Sequence, residues 1–319
     1  MGFHRQLDQS GQDLTHDGVV PFYLTGEDEQ HRVPLVRGRL ARLIGPCQSI
    51  LNRHHYPDGV AEICAEAMSL SACLSTTLKF DGVFTLQAKG DGALRTLFAD
   101  VTSNGDLRCY AAFDEKTGQM PPTQPAQLAR MMGGGYMAFT VDQNPALGEG
   151  AHRYQGIVEL DGAYLGDCAV TWFKNSEQLS AQIITAATRT ATGWRSAALF
   201  LQQLAGEGGA SSPLSAEQIA ESWHTVMVLM SSVKREELLS DDLSSSQLLY
   251  RLFHAQGLHI QPSRPIADKC RCSEDKVVGM LTGLSPEQLT DLCDETGHLR
   301  VNCEFCKTER AYPLDQFQK

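Results

Sequence analysis

Five of the ten cysteines in this 319-residue chain crowd into its last fifty residues: Cys270, Cys272, Cys293, Cys303 and Cys306. Four of them form two close pairs, Cys270-Arg271-Cys272 and Cys303-Glu304-Phe305-Cys306, thirty residues apart. Thiolates are soft ligands, and Zn²⁺ in a closed four-cysteine site takes a tetrahedron of them. A CxxC on a tight turn delivers two sulfurs to one metal. A CxC does so only if the backbone bends at Arg271, because alternate residues of an extended chain face opposite sides. The pattern predicts one Zn²⁺ per chain, held by Cys270, Cys272, Cys303 and Cys306.

Energetics favour the same reading. A segment of about fifty residues buries too little surface to be comfortably stable alone. Structural zinc supplies an apparent ~10–16 kcal/mol, against ~5–15 kcal/mol for the stability of a whole domain. The metal is therefore expected to hold this segment folded. Metal-bound sulfur is kept as thiolate, the form that oxidants attack, so oxidation would remove ligands, metal and fold together, and a redox switch is expected. Lys269, Arg271 and Lys307 are expected to offset the excess charge of four thiolates. Cys293 is read as a packing residue and His298 as a turn residue.

Elements must position these groups. Residues 266–319 form the cysteine module, with a helix opened by the capping box Ser285–Gln288 and a hairpin over 301–312. Upstream, 19–24 and 33–40 read as strands and 58–78 as a helix with apolar residues at steps of three and four. Turn signals at Asp81-Gly82, Gly90-Asp91-Gly92 and Asn104-Gly105 separate strands at 83–88, 94–102 and 106–112, an antiparallel meander. A Pro-rich break at 121–125 follows, then strands at 136–141 and 156–160, a helix at 165–173, and strands at 183–187 and 197–204. The composition of 206–213 is that of a linker. Ser215 and Gln218 cap a helix whose stripe is Ile219, Trp223, Val226, Met227, Met230 and Val233, and a second helix at 243–255 stops at Gly257. The domain order predicted is a tail (1–18), an α+β domain (19–205), a helical linker (206–265) and a small Cys₄ zinc domain (266–319). The five single cysteines, Cys47, Cys64, Cys73, Cys109 and Cys168, are read as buried filler.

Composition narrows the function. With 42% hydrophobic and 20% charged residues the chain is globular, and its formal net charge of −11 argues against binding nucleic acid or an anionic membrane. No apolar run approaches the ~20 residues of a membrane helix, and 1–18 carries no secretory pattern, so a cytoplasmic protein is expected. Ten cysteines in a reducing compartment favour metal or redox chemistry over structural disulfides.

The CxC-x30-CxxC spacing resembles that of the redox-regulated 33 kDa heat-shock chaperonin family. The same resemblance runs through Thr77-Leu78-Lys79-Phe80-Asp81-Gly82 with Thr85-Leu86-Gln87, Tyr154-Gln155-Gly156-Ile157-Val158, Ser176-Glu177-Gln178-Leu179, Glu236-Glu237-Leu238-Leu239 and Leu249-Tyr250-Arg251-Leu252-Phe253-His254. It covers the chain from about residue 19 to the end. It implies an ATP-independent holdase, zinc-bound and inactive when reduced. Oxidation with mild unfolding stress then forms disulfides Cys270–Cys272 and Cys303–Cys306 and releases the metal. The linker, here about 206–266, becomes disordered and uncovers a surface for unfolding client proteins. The active form is a homodimer that hands clients to ATP-dependent foldases. Trp223, Met227 and Met230, apolar and adaptable, are the candidate client-binding residues. Three features depart from the family pattern: a longer N-terminal tail, Ser180 where Pro is common, and the additional Cys293.

Two rival functions fit the cysteines less well. A zinc-ribbon nucleic-acid module is disfavoured by seven basic against ten acidic residues from 266 onward. A thiol–disulfide oxidoreductase using Cys303–Cys306 would place its CxxC between a strand and a helix N-terminus, which the pattern does not suggest. A closed Cys₄ site leaves no open position for zinc hydrolysis, and no Ser/His/Asp set is readable, so no catalytic residue and no enzyme is expected. Gly133-Gly134-Gly135 reads as a turn, and His54-His55 as a solvated helix end.

Overall fold

Strand and helix signals alternate along the chain as the residues require. In the computed structural model, which describes residues 17–25, 33–77, 80–114, 128–143, 153–204 and 215–317, β1 (Gly18–Leu24) and β2 (Val36–Leu43) come first. The second strand starts three residues later than the pattern predicts, past Pro34, which has no N–H to give a ladder. Next are α1 (Gly45–His54) and α2 (Asp58–Ser75). The carboxylate of Asp17 accepts from the backbone N–H of Ile44 (2.6 Å) and Gly45 (2.9 Å), tying down the start of α1. α2 ends before residue 78 because the Thr76 and Thr77 hydroxyls bond back to the carbonyls of Cys73 and Leu74.

The meander follows as β3 (Gly82–Gly90), β4 (Leu94–Thr102) and β5 (Asp106–Phe113). Then come α3 (Leu128–Met132), β6 (Gly135–Gln143), β7 (Tyr154–Glu159), α4 (Leu165–Ser176), β8 (Ala181–Thr190) and β9 (Gly193–Gln203). Gly133 takes the left-handed conformation (φ 67°) in the turn ahead of β6, as the glycine run predicts. The 121–125 break and the 206–213 linker lie outside the described residues.

Three helices come next, α5 (Ala216–Ser231), α6 (Arg235–Leu238) and α7 (Ser245–Phe253). The Ser215–Gln218 box is formed, and Gly257 ends the stretch with φ 59°, a conformation glycine adopts without strain. The chain then returns to the sheets through β10 (Leu258–Ile260), β11 (Arg264–Pro265) and β12 (Ala267–Asp268), short strands that the sequence pattern did not disclose.

Two compact units result, Met1–Asp268 and Lys269–Lys319. In the first, one six-stranded sheet runs β10-β1-β2-β9-β8 with β11 also on β1, and a second runs β12-β5-β4-β3-β6-β7. All pairings but β12 with β5 are antiparallel. α2 is buried almost all round, including Glu62, Glu66, Ser69 and Ser71, because its apolar faces meet residues of both sheets. The first sheet is covered on both sides, and alternate residues of its strands point into the two layers. Ala41, Leu43, Ala198 and Phe200 join the α2 core, while Leu40, Leu199 and Leu201 face Val226, Met230, Leu248, Leu249 and Phe253 of the α5–α7 layer. Gly38 leaves room for the ring of Phe22, which any Cβ there would strike.

The second unit contains α8 (Glu274–Thr282), α9 (Pro286–Asp291), β13 (His298–Asn302) and β14 (Glu309–Pro313). The strands form an antiparallel hairpin, Asn302 opposite Glu309. Its core is small: Leu281, Leu289, Leu299 and Tyr312 are fully buried, ringed by partly buried neighbours such as Val277 and Phe317.

Candidate metal centre

The hairpin builds half of the site. Past Asn302 the chain folds into a knuckle in which the Cys303 N–H donates to Thr308 O (3.0 Å) and the Lys307 N–H to Cys303 O (2.8 Å). Lys307 takes φ 54° to close it. This places Cys303 and Cys306 side by side. The other half precedes α8, whose N-cap is Ser273, accepting from the Lys276 N–H. Lys276 also donates through Nζ to Arg271 O at 2.9 Å, tying the residue between the two cysteines to the helix.

The four predicted sulfurs converge. The Sγ atoms of Cys270, Cys272, Cys303 and Cys306 all lie within 4.8 Å of one another. Cys270 and Cys303 are 3.8 Å apart, Cys272 and Cys306 3.4 Å. A regular tetrahedron with Zn–S bonds of about 2.3 Å has sulfur–sulfur edges of about 3.8 Å, so the cluster has the dimensions of a four-thiolate metal site. The separations are far beyond the ~2.05 Å of a disulfide, and the cysteines are free. Both of these approaches run between the CxC and CxxC halves.

The environment distinguishes the thiols. Burial pushes Cys270 up to about 12. At Cys306 burial acts in the same direction but is outweighed by hydrogen bonding from Thr308 and the neighbouring thiols, which brings it down to about 6. Cys306 Sγ lies 3.1 Å from the Thr308 hydroxyl. Arg310 reaches the sulfurs: its Nη2 donates to Cys272 Sγ at 3.6 Å. Lys307, also expected to offset the charge, pairs with Glu304 at 2.8 Å. Sequence reasoning missed Arg310 and Thr308, although both stand within four residues of Cys306.

Cys293 is half-buried against the small core and bridged to Leu299, which is packing, as expected. His298 is not in a turn. It opens β13, where its N–H donates to Asp294 at 3.0 Å, because the turn falls just before it, at Glu295-Thr296. In the first unit Met230 is fully buried and Trp223 partly buried against the first sheet, while Met227 is half-buried. The Cys303–Cys306 pair lies on a hairpin turn and not at a helix N-terminus, the setting that argues against a thioredoxin-like site.

These features define a class. A two-sheet body with a helical layer and a small four-cysteine unit is the fold of a heat-shock chaperonin: the 33 kDa chaperonin of Thermotoga maritima superposes with a TM-score of 0.77, covering 95% of this chain and 97% of that one at 19% identity. Residues 30–313 match the family model for the Hsp33 protein. The chain is 32% identical over 286 residues to a 33 kDa chaperonin of Caulobacter vibrioides, covering 88% of this chain and 91% of the relative. It is 34% identical over 273 residues to that of Proteus mirabilis, covering 85% and 87%. The protein belongs to the Hsp33 family of heat-shock chaperones. No helix among the described residues is long and apolar enough to cross a membrane.

Proposed function

We propose that the protein is a redox-regulated, ATP-independent holdase of the cytoplasm, inactive when reduced and active when its cysteine cluster is oxidised. The observation that carries this is the convergence of four sulfurs, with the spacing of a tetrahedron, in a unit whose own core is four buried residues. Zinc, when bound, would hold Cys270, Cys272, Cys303 and Cys306 as thiolates and cross-link the CxC segment to the hairpin. Arg310 and Thr308 stabilise negative charge on Cys272 and Cys306.

Cys270 and Cys272 then lose two electrons to one peroxide to form one disulfide, and Cys303 and Cys306 likewise to a second. In each case two thiolates, one hydrogen peroxide and two protons from solvent give one S–S bond and two waters: the O–O bond breaks, and the peroxide carries two of the four water hydrogens. The pairing within each half comes from the family resemblance. Four sulfurs so oxidised no longer serve as ligands, and the small core cannot keep the unit folded alone. The α5–α7 layer of this linker then detaches, and Trp223, Met227 and Met230 join the surface offered to unfolding clients. The oxidised protein acts as a homodimer that passes clients to ATP-dependent foldases. The chain carries no catalytic role in this scheme.

The test follows zinc content, disulfide mapping and suppression of aggregation of an unfolding reporter protein, before and after peroxide with mild heat. The expected result is one zinc per reduced chain, none after oxidation, Cys270–Cys272 and Cys303–Cys306 peptides, and activity only in the oxidised form. Equal activity of the reduced, zinc-loaded protein would overturn the switch.

A further inference from the structure

The stretch that follows α6 lies over the first sheet, and arginines hold it there. Arg42 projects from β2 on the same side as Leu40 and is only 3% exposed. Its Nε donates to Leu238 O at 2.9 Å, its Nη2 to Ser240 O and its Nη1 to Leu243 O. Arg195, on β9, donates through Nη1 to Leu239 O at 3.0 Å and lies 2.7 Å from the Asp241 carboxylate. Arg235 reaches the other way, from α6 to Glu62 on α2 and to Ala187 O on β8, the strand at the end of the sheet.

The carbonyls of 238, 239, 240 and 243 lie at and beyond the C-terminal end of a one-turn helix, where no helical N–H can serve them. Leu238, Leu239 and Leu243 supply apolar area to the same contact but no register, since apolar contact is non-directional. Three carbonyls meeting one planar guanidinium do fix a register. These bonds are the ones Arg42 makes through its side chain, and each ends on a segment about two hundred residues away. Its satisfaction therefore depends on that segment being docked. Withdrawn, the segment would return Arg42 to water, where its hydration compensates the bonds lost, so docking is held by a small difference between large terms.

We propose that Arg42 is the positioning residue of a latch: it fixes residues 235–243 on the face of the first sheet, and parting its three carbonyl bonds frees the α5–α7 layer. This rests on the reading above that the layer leaves when the protein is active.

Amide exchange by mass spectrometry on the reduced, zinc-loaded full chain tests it. Arg42→Gln, which can restore at most two of the three donors, is expected to speed exchange in peptides from 219–253 by about tenfold or more while α2 stays protected. Arg42→Lys should recover part of the protection. Exchange in 219–253 within twofold of the parent for Arg42→Gln would overturn the latch. Should that variant loosen β1 and β9 as well, Arg42→Met, which keeps an apolar stem in the sheet, decides: acceleration confined to 219–253 supports the latch, and uniform acceleration overturns it. Aggregation suppression measured on the same samples separates the two readings. A freed layer without activity in the reduced protein leaves the latch standing and removes the client-surface reading. An unmoved layer in a protein whose oxidised form still suppresses aggregation does the reverse.

Discussion

In the first unit Cys47, Cys64, Cys73, Cys109 and Cys168 are buried among aliphatic side chains and strands. Burial pushes the thiols of Cys47 and Cys73 up to about 12, and Cys109 is raised by its hydrogen bond with Cys64 and by burial. In the second unit four cysteines are half-buried, face one another and include one thiol brought down to about 6. One side-chain type thus serves as buried filler in one place and as a metal-sized cluster in the other. What separates the roles is the backbone geometry that turns sulfurs toward each other or toward leucine.

The sharpest way to break this contrast is to remove one ligand. Cys303→Ser should abolish zinc binding and unfold residues 269–317, since the ~10–16 kcal/mol of apparent metal stabilisation exceeds what so small a core can replace. Zinc content and amide exchange read this, and the first unit should stay folded. Retention of zinc by the variant would mean that the cluster is not the ligand set.

Core truncations are expected to have the next largest effect. Leu70→Ala in α2 and Leu281→Ala in α8 each remove a buried side chain and should cost ~2–5 kcal/mol. Leu70→Ala should lower the denaturant midpoint of the first unit and leave zinc affinity alone. Leu281→Ala should lower zinc affinity, because there folding and binding are one equilibrium.

A smaller effect belongs to the first unit alone. Glu66, buried beside Glu62, is pushed up to about 8 by burial first and by that neighbour second, from an ordinary value of 4.5. The folded state therefore binds more protons than the unfolded chain between those values. Stability is fully present below about 4.5 and falls as pH rises through 8, by at most ~1.4 kcal/mol per pH unit. Unfolding of Glu66→Gln followed over the same range should lack that slope.

The smallest effect expected is that of Cys293→Ser. A half-buried thiol packed beside Leu299 and outside the cluster should cost under ~1 kcal/mol on replacement and leave zinc stoichiometry unchanged. Loss of zinc in that variant would show the four-sulfur description to be incomplete.

Much of this was legible in the sequence because the signals are local. The meander, α2, α4 and the capping boxes at Ser215 and Ser285 follow from period and cap chemistry, and the grouping of the four cysteines from spacing alone. β10, β11 and β12 were not legible, since strands of two or three residues around Pro262 and Pro265 show no period, and their partners in β1 and β5 lie far upstream. Nor does an apolar run state how many layers cover it. Residues 197–204 read as a strand, but burial on both faces depends on α2 and the α5–α7 layer arriving from distant sequence. Arg310 escaped notice because net charge near the cysteines is readable, whereas the cation that touches sulfur is set by strand register. The carbonyl partners of Arg42 are likewise tertiary.

The register of the first sheet carries a last consequence. Leu258 pairs with Leu24, Leu24 with Val36, and Val36 with Gln203, so the chain leaves and re-enters this sheet on a single cross-strand row. Three inter-strand steps of about 4.8 Å put those points roughly 14 Å apart. Everything from 204 to 257 is stitched down at both ends along one rim. Released as proposed above, a flap sewn in this way would keep a high effective concentration over the surface it vacates, and the entropy of closing it grows only slowly with its length. Its return should be first-order, with a rate that does not change on dilution.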